Sequence, residues 1–252
     1  MKKVSKLIRE TVDKLPPGEV FVLEDVLPKK STKKMYLSAT KELSELRRLQ
    51  RISRVRKGMY FKPYKLKILD RTITDVSSSF LISYYQKKLD NKLYVSGAPL
   101  FNHMGLTEQV PAISVLAVDH PPKDFDEERL YFVKSKCAIT EENKKYLEIL
   151  DCIEGIEDVS AKHPGQVADS LMHLHIKRLN DTECREIVRY SMYYSARARA
   201  ILAAILATLG KEDLAKKLQK TYSVETRFKL YFRNSEALSN KESYGIYKKT
   251  NY

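Results

Sequence analysis

The 252-residue chain has little cysteine, glycine or proline and no long apolar run. Three cysteines, Cys137, Cys152 and Cys184, are an odd number at wide spacing with no CxxC, which fits neither a disulfide framework nor a sequence-local zinc site. They read as small core residues in a reducing compartment. Eight Gly and nine Pro beside 43% hydrophobic and 31% charged residues exclude collagen-like, low-complexity and wholly disordered chains. One large or two modest folded domains are expected. The stretch Ala198 to Leu209 is broken by Arg199 and falls short of the roughly 20 residues that a membrane helix needs. No membrane-spanning role is expected. The basic start, Met1 to Glu10, lacks the apolar core and cleavage site of a secretory signal, so a cytoplasmic location is expected.

Signatures of catalysis are missing too. No GxSxG, HExxH, P-loop or GxGxxG occurs, and Glu127-Glu128 followed by Lys134 and Lys136 lacks the spacing of a restriction-type nuclease core. His173 and His175 lie two apart on a predicted helix, hence about 200° apart around its axis, and cannot ligate together. His103 and His120 read as ordinary surface or capping residues. Tyr190, Tyr193, Tyr194 and Tyr231 beside Arg189, Arg197 and Arg199 could suggest an RNA-stacking platform. A helix-packing stripe flanked by Arg stems accounts for them better. The chain reads as a non-enzyme, with no catalytic residue, no metal site and no cofactor.

What the chain does carry is positive charge, +14 overall. Residues 1 to 67 hold 19 Lys/Arg against 7 Asp/Glu, and the remainder holds 27 against 25. Nearly all of the excess therefore sits in the first quarter. Such segregation marks an electrostatic footprint for a polyanion, with nucleic acid the leading partner and an anionic membrane surface second.

Periodicity organises that basic quarter. Val4, Leu7, Ile8, Val12 and Leu15 make one helical stripe that ends at Pro16-Pro17-Gly18. Glu19 to Val22 is short and β-branched, Leu23 to Leu27 allows one or two helical turns, and Pro28 closes the segment. Ser31 offers an N-cap to a long helix reaching about Gln50, with Tyr36, Ala39, Leu43, Leu46 and Leu49 as its buried stripe. Arg51 to Arg56 alternates, Lys57-Gly58 turns, and Met59-Tyr60-Phe61 returns as a second strand. Three helical elements ending in a hairpin predict a winged helix-turn-helix over residues 1–67.

Residues 68–252 predict a larger mixed α/β domain, so the fold class is α+β. Tyr64 to Thr74 reads as a connector and Asp75 to Leu89 as a helix carrying Val76, Phe80, Tyr84 and Lys87. Lys92 to Ser96, Ala112 to Val118 and Arg129 to Val133 are strand-like, separated by Gly- and Pro-containing turns, and can form one small sheet within residues 92–135. Helices follow over 141–222: Glu141 to Cys152, Pro164 to Leu179 with Pro164 in a first turn, Thr182 to Leu209, and Glu212 to Tyr222. Ser223 to Tyr252 has weak periodicity, and its last ten residues are expected to be poorly ordered.

In a helix-turn-helix the second helix enters the major groove and its N-terminal residues reach base edges. Here that end is Ser31, Thr32, Lys33, Lys34, Met35 and Tyr36. Ser31 and Thr32 can donate to phosphates or bases, while Lys33 and Lys34 stand away from the apolar stripe. Backbone N–H groups at the helix start add an anion site. Thr40, Lys41, Arg47 and Arg48 continue the exposed side, with the two arginines assigned to the DNA backbone. Arg54, Arg56 and Lys57 arm the wing for phosphates or the minor groove. The predicted DNA-binding set is thus Ser31, Thr32, Lys33, Lys34, Tyr36, Thr40, Lys41, Arg47, Arg48, Arg54, Arg56 and Lys57.

Two stretches carry a family resemblance. Leu43-Ser44-Glu45-Leu46 through Arg54-Val55-Arg56-Lys57-Gly58-Met59-Tyr60-Phe61, followed by Ser96-Gly97-Ala98-Pro99-Leu100-Phe101-Asn102-His103-Met104-Gly105-Leu106-Thr107-Glu108-Gln109-Val110-Pro111, resembles the AbiEi-type antitoxins of abortive-infection, type IV toxin–antitoxin systems. Those proteins pair a winged helix with a second domain marked by a G-L-s-x-Q-v-P stretch. The match spans roughly residues 5 to 120. Leu49-Gln50 stands where such proteins often place Gly, and Glu45 where they often carry a base. The resemblance implies an antitoxin that represses its own operon at inverted repeats in promoter DNA and counteracts a nucleotidyltransferase toxin. From the residues alone, Gly97 and Gly105 suit turns and Gln109-Val110-Pro111 suits entry to a strand, which is an architectural role. The alternative function is a ligand-responsive winged-helix regulator with no toxin partner.

Overall fold

A computed structural model describes residues 2–66, 71–74, 76–122, 130–223, 225–230 and 234–248. It divides into two compact units, Met1–Asn91 with Asp124–Leu130, and Lys92–Lys123 with Tyr131–Tyr252. Both mix helices and strands, as an α+β chain must.

In the first unit, α1 (Lys2–Lys14) buries Ile8 and Val12, the spacing of one helical face. Lys62 closes its far end by donating from Nζ to the carbonyls of Asp13 and Leu15. β1 (Val20–Val22) leads into a 3-10 turn, Leu23–Val26, and then α2 (Lys33–Arg48). β2 (Ser53–Arg56) and β3 (Met59–Phe61) form the hairpin, and β3 also pairs with β1, giving an antiparallel sheet of order β1-β3-β2. Phe21, Val26, Ala39, Leu43, Leu46 and Ile52 join the α1 residues in one core.

Several boundaries differ from the sequence pattern. The N-cap of α2 is Thr32, whose Oγ1 accepts from the Met35 N–H at 3.4 Å; Ser31 instead donates to the Pro28 carbonyl at 2.6 Å. The helix stops at Arg48, short of Gln50. Its buried face is Ala39, Leu43 and Leu46 with Ser38 and Glu42, whereas Tyr36 and Leu49 are 37% and 47% exposed. Tyr36 lies in the first turn and Leu49 at the C-cap, where a helix has the fewest packing neighbours.

Residues 64–74 are more than a connector, since β4 (Tyr64–Leu66) pairs antiparallel with β5 (Arg71–Ile73). α3 spans Ser78–Lys88, and Asp75, the start predicted for it, lies outside the described residues. The first unit accordingly runs to Asn91 and does not stop at residue 67. Phe80 of α3 packs at 5.6 Å from Phe61 and 5.4 Å from Tyr64 between ring centroids, and Lys87 pairs with Glu19 at 3.1 Å. Aromatic contacts thus extend the unit past the point where its charge excess ends.

The predicted small sheet is present as β6 (Leu93–Val95), β7 (Ser114–Val118) and β8 (Leu130–Lys134) in the order β6-β7-β8, and all of it from Tyr131 on, with β6 and β7, belongs to the second unit. Arg129, the predicted start of β8, is outside the described residues, as are Glu127, Glu128 and Tyr231. Between β6 and β7, a helix replaces the predicted turns: α4 (Gly97–His103) buries Leu100 and Phe101. Gly97 and Gly105 do take left-handed turn conformations, φ 61° and 68°.

The remaining helices are α5 (Lys144–Glu154), α6 (Pro164–Leu174), α7 (Asp181–Ser191), α8 (Ala196–Thr208) and α9 (Glu212–Gln219). Pro164 opens α6 in its first turn. α6 ends at Leu174, ahead of a separate 3-10 turn, Ile176–Arg178. The single helix predicted over 182–209 is two, because Ser195 caps α8 by accepting from the Ala198 N–H at 3.1 Å. The run Ala200 to Leu206 is fully buried, so α8 is apolar on every side because it forms the centre of this core. No helix among the described residues is long and apolar enough to cross a membrane. Cys152 and Cys184 are buried, Cys137 is partly so, and all three are free thiols.

The tail is more regular than its pattern suggests. β9 (Phe228–Leu230) pairs in parallel with β10 (Ile246–Lys248), and a 3-10 turn, Lys241–Tyr244, precedes β10. Of the ten residues expected to be poorly ordered, 243–244 and 246–248 belong to these elements, Gly245 joins them, and 249–252 lie outside the described residues.

Candidate nucleic-acid interface

The exposed side of α2 gathers most of the predicted set. At about 100° per residue, Lys33, Leu37, Thr40, Lys41, Ser44, Arg47 and Arg48 fall on one face, and all are exposed. The opposite face carries Ala39, Glu42, Leu43 and Leu46 into the core. Tyr36 edges the exposed face. Lys29 and Lys30, exposed in the segment before α2, add two cations that the sequence reading did not include.

Leu37 was also missed. It is 60% exposed at the centre of this basic face, where an apolar side chain contributes nothing to the core. Its signal was available: in a helix it lies opposite the Leu43/Leu46 stripe, so an apolar residue there stands against the amphipathic pattern.

Internal ion pairing leaves the face cationic. Arg9 bonds the largely buried carboxylate of Glu42, Arg51 bonds Asp13, Lys6 lies 3.9 Å from Glu10, and Lys87 holds Glu19. These pairs consume acidic groups through cations outside the predicted set. On the face itself Arg48 bonds Glu45 at 2.7 and 3.0 Å, and this bond holds the Glu45 carboxyl below the usual glutamate range. Glu45 therefore offsets Arg48 locally. Lys29, Lys30, Lys33, Lys34, Lys41, Arg47 and Lys57 have no partner among the described residues.

Other members of the set are partly engaged by the protein. Thr32 spends its side-chain oxygen on the cap, and Thr40 donates to the Tyr36 carbonyl at 2.9 Å. At the hairpin a register shift between Arg54 and Arg56 marks a bulge. Arg54 is exposed and donates from Nε to the Arg56 carbonyl at 3.2 Å. Arg56 is half-buried and reaches the Tyr85 hydroxyl of α3 at 3.4 Å. Lys57 is exposed beside Gly58, whose φ of 81° makes the turn. The hairpin thus presents Arg54 and Lys57 to solvent and keeps Arg56 against the body.

The second unit offers a different kind of polar cluster. The Asp151 carboxylate accepts from Ser96 at 2.7 Å, Tyr194 at 2.8 Å and Tyr94 at 3.1 Å. Burial pushes the Asp151 carboxyl up, and the three hydroxyl donors oppose that shift. Burial, and then the neighbouring Asp151 charge, pushes both tyrosines above the usual phenol range. Three chain segments are tied together here. The histidines do not converge: His173 Nε2 lies 3.1 Å from Glu236, and His175 Nε2 lies 2.9 Å from the Met104 carbonyl. No cluster of three or more His, Cys, Asp or Glu among the described residues could hold a metal ion. Tyr190 stacks on Tyr146 at 5.8 Å under the Arg189 guanidinium, and Tyr194 is buried, whereas Tyr193 is exposed.

No family model and no curated protein matches this chain. Among solved structures, the crystal structure of the RV2827C protein from Mycobacterium tuberculosis is similar in fold, at 10% identity and a TM-score of 0.54. The similarity covers 98% of this chain and 91% of that one. It supports the α+β architecture over nearly the whole length.

Proposed function

We propose that the first unit is a winged helix-turn-helix that binds double-stranded DNA, with α2 as the recognition helix and the β2–β3 hairpin as the wing. The observation that carries this reading is the cationic exposed face of α2, whose Lys33, Lys34, Lys41 and Arg47 lack internal partners among the described residues. The succession of helix, strand, short turn, long helix and hairpin supports it. The partner's phosphates neutralise the lysines, and Leu37 reads base edges.

For the whole chain, we propose an antitoxin of a type IV system that represses its own operon and counteracts a nucleotidyltransferase toxin. The motif resemblance over residues 43–61 and 96–111 supports this step. The test is a gel shift with the region upstream of its own gene, combined with rescue of cells expressing the adjacent toxin. Specific retardation that weakens about 10³-fold between low and moderate salt, for a six-phosphate contact, together with rescue, is the expected outcome. Salt-insensitive binding contradicts the DNA reading, and failed rescue contradicts the antitoxin reading.

A further inference from the structure

We propose that the second unit binds a small phosphorylated molecule in a cleft of about 990 Å³ walled by Lys162, His163, Gln166, Asn234 and Lys248. Lys162 comes from the loop before α6 and Lys248 from the end of β10, so distant parts of the chain bring two cations to one cleft. No acidic side chain is among the described lining residues. Neither lysine has a partner among the described residues. Two unneutralised ammonium groups facing one space favour a ligand carrying at least two negative charges.

The remaining lining fits the same ligand. The Gln166 Oε1 accepts from the His163 N–H at 3.1 Å, which turns the amide's acceptor toward the protein and leaves its NH₂ as a donor. Asn234 brings a second amide. Gln166 stands in the first turn of α6, behind Pro164, which has no N–H, and a helix start favours an anion. The walls therefore offer donors in excess, as an acceptor-rich phosphate requires.

Volume and lining set the ligand's class. The cleft is far larger than one phosphate ion and within the range of small-molecule sites, about 300 to 1,000 Å³. Among the described lining residues none is aromatic, and those residues offer the phosphate polar contacts. A second cavity of about 580 Å³ shares Ala161 and Lys162 and is walled by Thr107, Glu108 and Gln109 of the Gly105–Pro111 stretch, so an acidic side chain stands there and not in the first cleft's described lining. Ala161, common to both, takes a left-handed φ of 64°, a conformation that L-residues adopt at a cost.

The test is calorimetric titration of the full chain at constant ionic strength with inorganic phosphate, pyrophosphate, ADP and a short single-stranded RNA. We expect pyrophosphate and ADP to bind more tightly than phosphate. The Lys162→Gln/Lys248→Gln double variant should bind them at least tenfold more weakly, and the Lys33→Ala/Lys34→Ala variant should bind them as the parent does. Lys248→Gln alone, at an exposed side chain, keeps the test valid if the double variant loses its circular-dichroism spectrum. No binding of any small anion, equal binding by the glutamine variants, or binding of RNA alone would overturn the proposal.

Discussion

The guanidinium of Arg56 lies 3.4 Å from the hydroxyl of Tyr85 on α3, whereas the next residue, Lys57, extends into solvent without a partner among the described residues. Adjacent cations of the hairpin thus have different surroundings. Lys57→Ala should lower DNA affinity and reduce the slope of log K against log salt by about 1, the loss of one phosphate contact. Arg56→Ala should leave the slope unchanged and lower the melting temperature of the first unit. Filter binding across a salt series and thermal denaturation separate the two outcomes.

Leu37 permits a cleaner separation of binding from folding. Because its side chain is already in water, Leu37→Ala should leave the melting temperature within error. If it contacts a thymine methyl, the same change should cost about 1 kcal/mol at thymine-containing positions and nothing at others. Competition between operator variants measures the difference.

Gln50 carries an avoidable strain. Its φ is 55°, and across it the N–H of Arg51 donates to the Leu46 carbonyl at 2.9 Å, with Gln50 itself donating to Arg47 at 2.9 Å. This is the paired closure of a Schellman helix end, where glycine is the usual residue. Gln50→Gly should stabilise the first unit by about 1 kcal/mol, the difference between relieving a left-handed L-residue and freeing the unfolded chain. A higher midpoint in urea denaturation is the expected reading.

Asp151 gives the second unit a pH dependence of known sign. Its folded pKa is raised by burial, so the folded chain holds that proton at pH values where the unfolded chain has lost it. This contribution to stability is fully present below the ordinary aspartate pKa. It falls as pH rises from there through the raised folded value. Asp151→Asn should remove this descending part of the profile, measured by urea denaturation at successive pH values. Asp151→Ala also strips the acceptor from Ser96, Tyr94 and Tyr194 and should cost about 2 to 4 kcal/mol.

The helical stripe of α1, the β2–β3 hairpin, the small sheet and the basic excess were legible because each is written in local periodicity or charge. The limits of α2 were not, because Ser31 and Thr32 are equally able to cap. Pro28 decides between them by offering its carbonyl to Ser31. The first unit's true extent was hidden for a different reason: Phe61, Tyr64 and Phe80 meet through space while the charge composition changes between them. Within the candidate face, exposed lysines could be read from the helical repeat. The inward turn of Arg56 depends on a bulge and on a tyrosine 29 residues away, and no local pattern encodes either. The cleft of the second unit escaped notice because its lysines belong to separate segments.

The parallel pairing of β10 with β9 makes the last described strand a keystone. Ile246 is fully buried, and Gly245 sits so close to the Thr226 carbonyl that an added methyl would lie 2.6 Å from its oxygen. A library of progressively shortened chains should therefore show an abrupt loss of soluble yield once the cut passes Ile246. An affinity handle inserted between Tyr244 and Ile246 should be ruinous.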